Sequence, residues 1–281
     1  MIFGYSFFIF LGTIVDKVNW SVDQFILGVY CGATSVSIYS VSSQLNTLFL
    51  NLSTAISSVL LPKMSKMIAK KASNEDLTKE FIKVGRIQYY IIFFMMSCLI
   101  IFGKEFIYLW VGPEYNESYY IALILIVPLC FPLIQNLGLS ILQAMNKYKF
   151  KSISSVIMSI VNILVSIILT KRYGAIGAAI GTALSLIICN IIIMNIYYYK
   201  VIKINVINFW KDILKLTIKF IIPVFFILII IRFININSWI RLIACGVLYT
   251  IIYCATVYKL CINTYEKNII NSVFNKIGIR R

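Results

Sequence analysis

The stretch "SISSVIMSIVNILVSIILTKRYGAIGAAIGTALSLIICNIIIMNIYYY" (Ser152–Tyr199) decides the fold. It holds two apolar blocks, 152–169 and 174–199, and neither contains Asp, Glu, Lys or Arg. Only Lys171 and Arg172, with their immediate neighbours, part them. A bilayer crossing needs about 20 mainly apolar residues. In lipid each span must satisfy its own backbone hydrogen bonds, and these blocks are too long for barrel strands, so both read as helices.

The same pattern extends in both directions. Eight candidate spans emerge between charge clusters: 2–28, 36–61, 84–102, 119–142, 152–169, 174–199, 214–231 and 239–260. Over all 281 residues, 60% are hydrophobic and 13% charged, against roughly half and a quarter in soluble globular chains. Mean hydropathy is +0.91. The expected fold class is an all-α polytopic membrane protein with about eight transmembrane helices.

Composition also excludes chemistry. Histidine is absent, which removes His-activated nucleophiles and His metal sites. The seven cysteines fall singly, mostly inside apolar blocks, and read as small hydrophobes rather than metal ligands or disulfide pairs. No Walker-type loop for ATP is present. The loop carboxylates lack metal-ligand spacing, and no catalytic set or long-loop glycosyltransferase site is recognisable. No enzyme activity, cofactor or resident metal is expected.

The net charge of +16 is a topology signal. Of the 26 lysines and arginines, 20 lie in or beside the connections after spans two, four and six and in the C-terminal tail. Those after the odd-numbered spans hold 5, and Lys17 completes the set. Positive charge favours the cytoplasmic side, so both termini are expected inside the cytoplasmic (inner) membrane. Attraction to anionic membrane lipids is a secondary consequence, and nucleic acid has no part. The widest connection, 62–86, reads as a solvated basic loop or, through Met64, Met67 and Ile68, an amphipathic stretch on the membrane surface. The longest external loop is read at 103–118.

Polar residues inside the spans are the candidate site. In the first block Asp16, Asn19 and Asp23 share one helical face, while Lys17 and Gln24 repeat the spacing one residue along. A charge at the membrane centre costs about 3 kcal/mol on insertion scales, so these side chains should face protein or water. The functional reading is a solvated cavity whose acid binds a proton or cation. The structural alternatives are neutralisation of an acid by Lys17, or a short helix that leaves Asp16 at the interface. Span two carries Gln44, Thr47, Asn51, Thr54 and Ser58, at offsets 0, 3, 7, 10 and 14. Span five repeats those offsets with Ser152, Ser155, Ser159, Asn162 and Ser166. Helix packing explains either stripe taken singly. Two such faces together are what a shared aqueous cavity needs, and the carboxamides of Gln44, Asn51 and Asn162 strengthen that reading. Pro128 and Pro132 should kink span four. Gly174, Gly177, Gly181 and Ser185 lie on one face and suit close helix packing.

These residues also carry a likeness. "VDQFILG" (Val22–Gly28), "VSIYSVSSQL" (Val36–Leu45), "VLLPKMSK" (Val59–Lys66), "VGPEYNESYYIALIL" (Val111–Leu125), "QAMNKYKFKSI" (Gln143–Ile153) and "VNILVSIILTKRYGAIGAAIGTALS" (Val161–Ser185) keep a characteristic order over residues 20–190. Together they resemble bacterial polysaccharide exporters and lipid-linked oligosaccharide flippases of the multidrug/oligosaccharidyl-lipid/polysaccharide (MOP) superfamily. The resemblance implies the second half of a fourteen-helix, MATE-like transporter with a cavity between two bundles. Residues 1–199 would form the six-helix bundle, and 200–281 two additional helices with a basic cytoplasmic tail. The first six helices have no counterpart here, so the sequence reads as a fragment, or as a half-protein needing an N-terminal half or a second copy.

The resulting reading is a transporter, or half of one, that moves polyprenyl-linked saccharide units across the membrane for polysaccharide biosynthesis. Asp16 and Asp23 are candidates for ion or proton coupling, and Lys17 for the phosphate end of the lipid. Gln24, Gln44, Asn51 and Asn162 would line the polar pathway. The rivals are a MATE-like drug or cation antiporter, a membrane enzyme of envelope polysaccharide synthesis, and a partner-binding membrane subunit.

Overall fold

A computed structural model describes residues 2–232 and 236–268. Among the described residues every element is helical, and no strand occurs. Helix α1 spans Ile2–Tyr30, α2 Ala33–Ala69, α3 Asn74–Val111, α4 Asn116–Ile134, α5 Leu137–Ala144 and α6 Lys149–Leu186. A π-helical turn (Ile187–Ile193), the short α7 (Met194–Tyr197) and a second π turn (Tyr198–Ile202) prolong α6. Then follow α8 (Val206–Arg232), α9 (Trp239–Thr256) and a π turn at Val257–Cys261. Five described segments are long and apolar enough to cross a membrane: Ala33–Ala69, Asn74–Val111, Pro113–Ile134, Lys149–Ile202 and Trp239–Cys261. The protein is a multi-pass, all-helical membrane protein.

Each turn has a local cause. Cys31 and Gly32 both donate backbone N–H groups to the Leu27 carbonyl, and Gly32 turns the chain with φ +82°. Without a Cβ it adopts that angle freely, which lets α2 begin at the next residue. Ser73 opens α3 by accepting from the Asp76 N–H at 3.1 Å, and Glu75 and Asp76 sit in the first turn. That is an N-cap reinforced by the helix dipole. Gly174, at φ +57°, folds α6 into two antiparallel arms, 149–173 and 175–186. At two points along this hairpin only glycine fits. A Cβ on Gly177 would strike the Leu169 backbone, and one on Gly181 would strike Ser166. Gly177 and Gly181 of the face read from the sequence thus pack the arms together, while Gly174 is the turn itself, where a Cβ would meet nothing within 4 Å.

The span boundaries need correction. The connection read at 62–86 is the four-residue turn 70–73, because α2 continues through Pro62 to Ala69 and α3 begins at Asn74. Lys and Glu are good helix formers, so charge ends a membrane span without ending a helix. At ~1.5 Å per residue α2 is ~55 Å long, well beyond the ~30 Å hydrocarbon core. Its continuation is held to α3 by the Lys63–Glu80 ion pair. Met64 is fully buried there, with Met67 and Ile68 half-buried, so the stretch is a helix end rather than a separate surface helix. The loop read at 103–118 likewise shrinks, since α3 runs to Val111 and a 3-10 turn fills Pro113–Tyr115. Span four is broken rather than merely kinked, with α4 ending at Ile134 and α5 starting at Leu137.

The chain divides into two compact units, 1–211 and 212–281, with the boundary inside α8. In the first unit a core of Leu27, Tyr39, Ile121, Leu125, Ala175, Ala178 and Ala179 joins α1, α2, α4 and the second arm of α6. The alanines let the backbones approach closely, which drives helix association in lipid. The opposite face of the first arm exposes Ile157, Ile160, Leu164 and Ile168, an apolar stripe suited to lipid. In the second unit Phe220 stacks on Tyr253 with ring centroids 5.0 Å apart. There Lys219 also donates to the Leu260 carbonyl at 2.8 Å.

Candidate functional site

The first unit buries a carboxylate. Asp23 lies seven residues before the end of α1 and is wholly inaccessible. Its Oδ2 accepts from the Tyr39 hydroxyl of α2 at 2.5 Å and from the Thr182 hydroxyl on the second arm of α6 at 2.5 Å. Thr182 in turn accepts from Asn162 Nδ2 on the first arm at 3.2 Å, and the Ser166 hydroxyl donates to Asn162 Oδ1 at 3.0 Å. Four helical segments therefore meet at one polar cluster. The other carboxylate oxygen, Asp23 Oδ1, is buried without a hydrogen-bond partner. Among the described residues no lysine or arginine forms an ion pair with it. A buried carboxylate with an unused lone-pair face, ringed by hydroxyl and amide oxygens, has the donor chemistry to hold a proton or a hard cation.

The structure separates the residues singled out in the sequence. It brings Asp23 and Asn162 together through Thr182. Gln24 is half-buried, and its Nε2 donates to Ser40 Oγ at 3.3 Å, tying α1 to α2. Lys17 is exposed on α1. The side chains of Asp16 and Asn19 lie outside the described residues. Gln44 and Asn51 are exposed on a side of α2 away from Tyr39, with Thr47, Thr54 and Ser58 beside them. The last three hydroxyls bond carbonyls of their own helix, those of Ser43, Leu50 and Ala55. Together the two stripes suit a shared aqueous cavity, and helix packing explains either one taken singly. The α6 stripe is buried throughout, from Ser152 to Ser166, as packing requires.

Sequence reasoning missed Tyr39 and Thr182, the two direct partners of Asp23. Tyrosine reads as an interfacial anchor, and Thr182 sits inside a small-residue run explained by packing. It also missed a second polar face on α2, made of Ser42, Asn46, Ser53 and Ser57, all buried. Ser42 donates to the Ser118 carbonyl and Ser118 to the Ile38 carbonyl, each at 2.7 Å. Ser53 donates to the Leu133 carbonyl at 2.8 Å and accepts from Asn136 Nδ2 at 3.1 Å. The Gln88 carboxamide, with nitrogen toward α4, donates to the Leu133 and Ile134 carbonyls and accepts from Ser57 Oγ. These groups satisfy the carbonyls that a helix end leaves orphaned in lipid, so the α4–α5 break is stable. The signal for this face was its spacing, 42, 46, 53 and 57, masked by the larger residues of the opposite stripe.

The chain is similar to known proteins in sequence and fold. Residues 1–120 match the family described as polysaccharide biosynthesis protein. Over 186 residues the chain is 23% identical to the probable low-salt glycan biosynthesis flippase Agl15 of Haloferax volcanii, covering 66% of this chain and 39% of that protein. Over 192 residues it is 28% identical to the capsular polysaccharide biosynthesis protein CapF of Staphylococcus aureus, covering 66% of this chain and 46% of that one. In fold it is similar to the lipid II flippase MurJ in an inward closed conformation, with a TM-score of 0.63 and 24% identity, over 89% of this chain and 52% of that structure. The chain therefore spans about half the length of these relatives, or less. In sequence and in helical fold it is similar to the polysaccharide exporters and flippases of the MOP superfamily, the likeness already carried by residues 20–190.

Proposed function

We propose that the chain is one half of a transporter that moves polyprenyl-linked saccharide units across the cytoplasmic membrane for polysaccharide biosynthesis. The observation that carries this reading is the exposed polar face of α2. Gln44 and Asn51 project carboxamides from the surface of a lipid-embedded bundle, where unsatisfied amides cost several kcal/mol (about 4–8 in pure hydrocarbon). Such a face needs water or a second bundle opposite it. A cavity between two bundles provides both, and the matched relatives are long enough to contain one. The missing bundle is an N-terminal half or a second copy of this chain. Residues 1–199 supply the cavity wall, 200–281 the additional helices, and both termini face the cytoplasm. The work we infer is translocation, in keeping with the relative named as a probable flippase.

Within this reading Asp23 is the coupling group, exchanging a proton or cation, with Asp16 a second candidate on the same helical face. Lys17, exposed on the same helix, engages the phosphate end of the lipid. A cation antiporter of the same superfamily is the second reading, favoured by the burial of Asp23 without a basic partner.

Reconstitution tests the proposal. Vesicles holding the chain together with a complementary six-helix bundle should flip a fluorescent polyprenyl-linked saccharide, and vesicles holding either piece alone should not. Robust flipping by this chain as a monomer would overturn the half-transporter reading. Extrusion of organic cations without lipid translocation would select the antiporter. Sided thiol labelling should place Lys71→Cys in the cytoplasm and Glu114→Cys outside, and finding both on one side would overturn the topology.

A further inference from the structure

The buried stripe on the first arm of α6 continues beyond the Asp23 cluster in both directions. Lys151, Ser152, Ser155, Ser159, Asn162, Ser166 and Thr170 are all buried, and they fall within about 100° of the helix circumference. From Lys151 to Thr170 is 19 residues, or ~29 Å, which matches the ~30 Å hydrocarbon core. The register of α1 along this stripe is set at two points. A Cβ on Gly12 would sit 3.3 Å from Ser152 Oγ and 3.3 Å from the Tyr148 ring, and Asp23 meets Thr182 beside Asn162 and Ser166. The two helices thus run side by side in the same direction, with the polar stripe at their seam.

Packing alone does not account for this seam. Alanine or glycine would serve close approach equally well, yet the seam holds a carboxamide, a buried lysine and a chain of hydroxyls. Lys151 Nζ donates to Ser155 Oγ at 2.5 Å. Moreover, two buried oxygens at the far end of the stripe, Asp23 Oδ1 and Thr170 Oγ1, have no hydrogen-bond partner. Buried polar atoms without partners are what transient water or an ion would fill, and among the described residues two of the three such atoms lie at this seam, the third being Asn46 Oδ1 on α2.

We propose that the seam between α1 and the first arm of α6 is a hydratable conduit. It joins the basic end of the bundle, at Lys151 and Ser152, to the Asp23 cluster, and the proton or small cation held at Asp23 exchanges through it. The proposal rests on the reading of Asp23 as the coupling group. The conduit lies inside one bundle, separate from the saccharide path along the exposed face of α2. Lys151 stands at its mouth.

Silver ion tests the conduit, because it is small, monovalent and reacts only with thiols that water reaches. Ser155→Cys, Ser159→Cys and Ser166→Cys are conservative in volume, and Ile157→Cys and Leu164→Cys supply lipid-facing positions on the same arm. The full chain, in vesicles, is exposed to silver nitrate from the side that labels Lys71→Cys. Remaining thiols are then captured with a maleimide and read position by position by mass spectrometry, with native Cys98 and Cys130 as internal standards. The seam thiols should react at least tenfold faster than the lipid-facing pair, and Gly12→Val should slow Ser159→Cys about fivefold by filling the space beside Ser152. Equal rates at seam and lipid-facing positions would overturn the conduit. If Gly12→Val disturbs folding, Ser152→Val is the second obstruction, and an unchanged rate at Ser159→Cys behind it overturns the proposal equally. The thiol rates are read without transport, so the two readings fail separately. Normal transport by Asp23→Asn beside a reactive seam removes Asp23 from coupling, whereas an unreactive seam beside inactive Asp23→Asn removes only the conduit.

Discussion

Gln44–Ser58 of α2 and Ser152–Ser166 of α6 carry polar residues at identical offsets, yet the bundle exposes every member of the first set and buries every member of the second. Helical periodicity determines that residues share a face; it does not determine what that face meets. The α6 stripe meets α1 and its own second arm, where Gly177 and Gly181 leave no room for a Cβ. The α2 stripe meets no other helix among the described residues. One pattern therefore serves internal cohesion and the Asp23 cluster, while the other is left for a surface that the bundle does not complete.

The sharpest way to break the comparison is the same substitution in both stripes. Ser166→Leu forces a large side chain against the Gly181 backbone and removes a hydroxyl from Asn162, and overpacking with lost polar contacts should cost about 3 kcal/mol or more. Thermal unfolding in detergent should show a large drop in midpoint. If Ser166→Leu is as stable as wild type, the seam is looser than the structure has it.

Next in size is Tyr39→Phe, which removes a hydroxyl bonded to a buried carboxylate. Hydrogen bonds to charged groups are worth about 1.5–3 kcal/mol, so a destabilisation near 2 kcal/mol is expected in the same assay. Thr182→Val keeps the shape but removes the hydroxyl that bridges Asp23 and Asn162, and should cost about 1–2 kcal/mol. Tyr39→Phe and Thr182→Val together should not add, because both act on Asp23 Oδ2. Additivity within about 0.3 kcal/mol would show that the two hydroxyls do not share one acceptor.

The smallest effect on stability belongs to the exposed stripe. Asn51→Leu should change the unfolding midpoint within the error expected of a surface position, about 0.5 kcal/mol, while lowering transport severalfold once the complementary bundle is present. A destabilisation as large as that of Ser166→Leu would mean that the face is covered within this chain. Unchanged transport would take Asn51 out of the pathway.

Much of the fold was legible before any coordinates. The apolar blocks and the shared face of Gly177 and Gly181 follow from local rules, whereas the same spacing places Gly174 on that face and the structure makes it the turn between the arms. Span ends were less legible because lysines continue a helix as readily as leucines, as the run from Pro62 to Ala69 shows. The break after Ile134 was half legible. Pro128 and Pro132 signalled it, but its stability depends on Gln88, Ser53 and Asn136, which arrive from three different segments.

The sequence by itself determined that this protein is a set of membrane helices, since a chain so apolar has no other way to satisfy its backbone in lipid. It also determined which residues share a face, because 100° per residue is a property of the helix alone. Only the tertiary structure decided which faces meet. Asp23 and Thr182 stand 159 residues apart, and nothing in the spacing of either predicts the other. Their encounter depends on α1 lying along α6 while Gly174 turns the second arm back across it. Long-range pairing of this kind is set by how small residues let particular backbones approach, and that is a property of pairs of surfaces, which no single helix encodes.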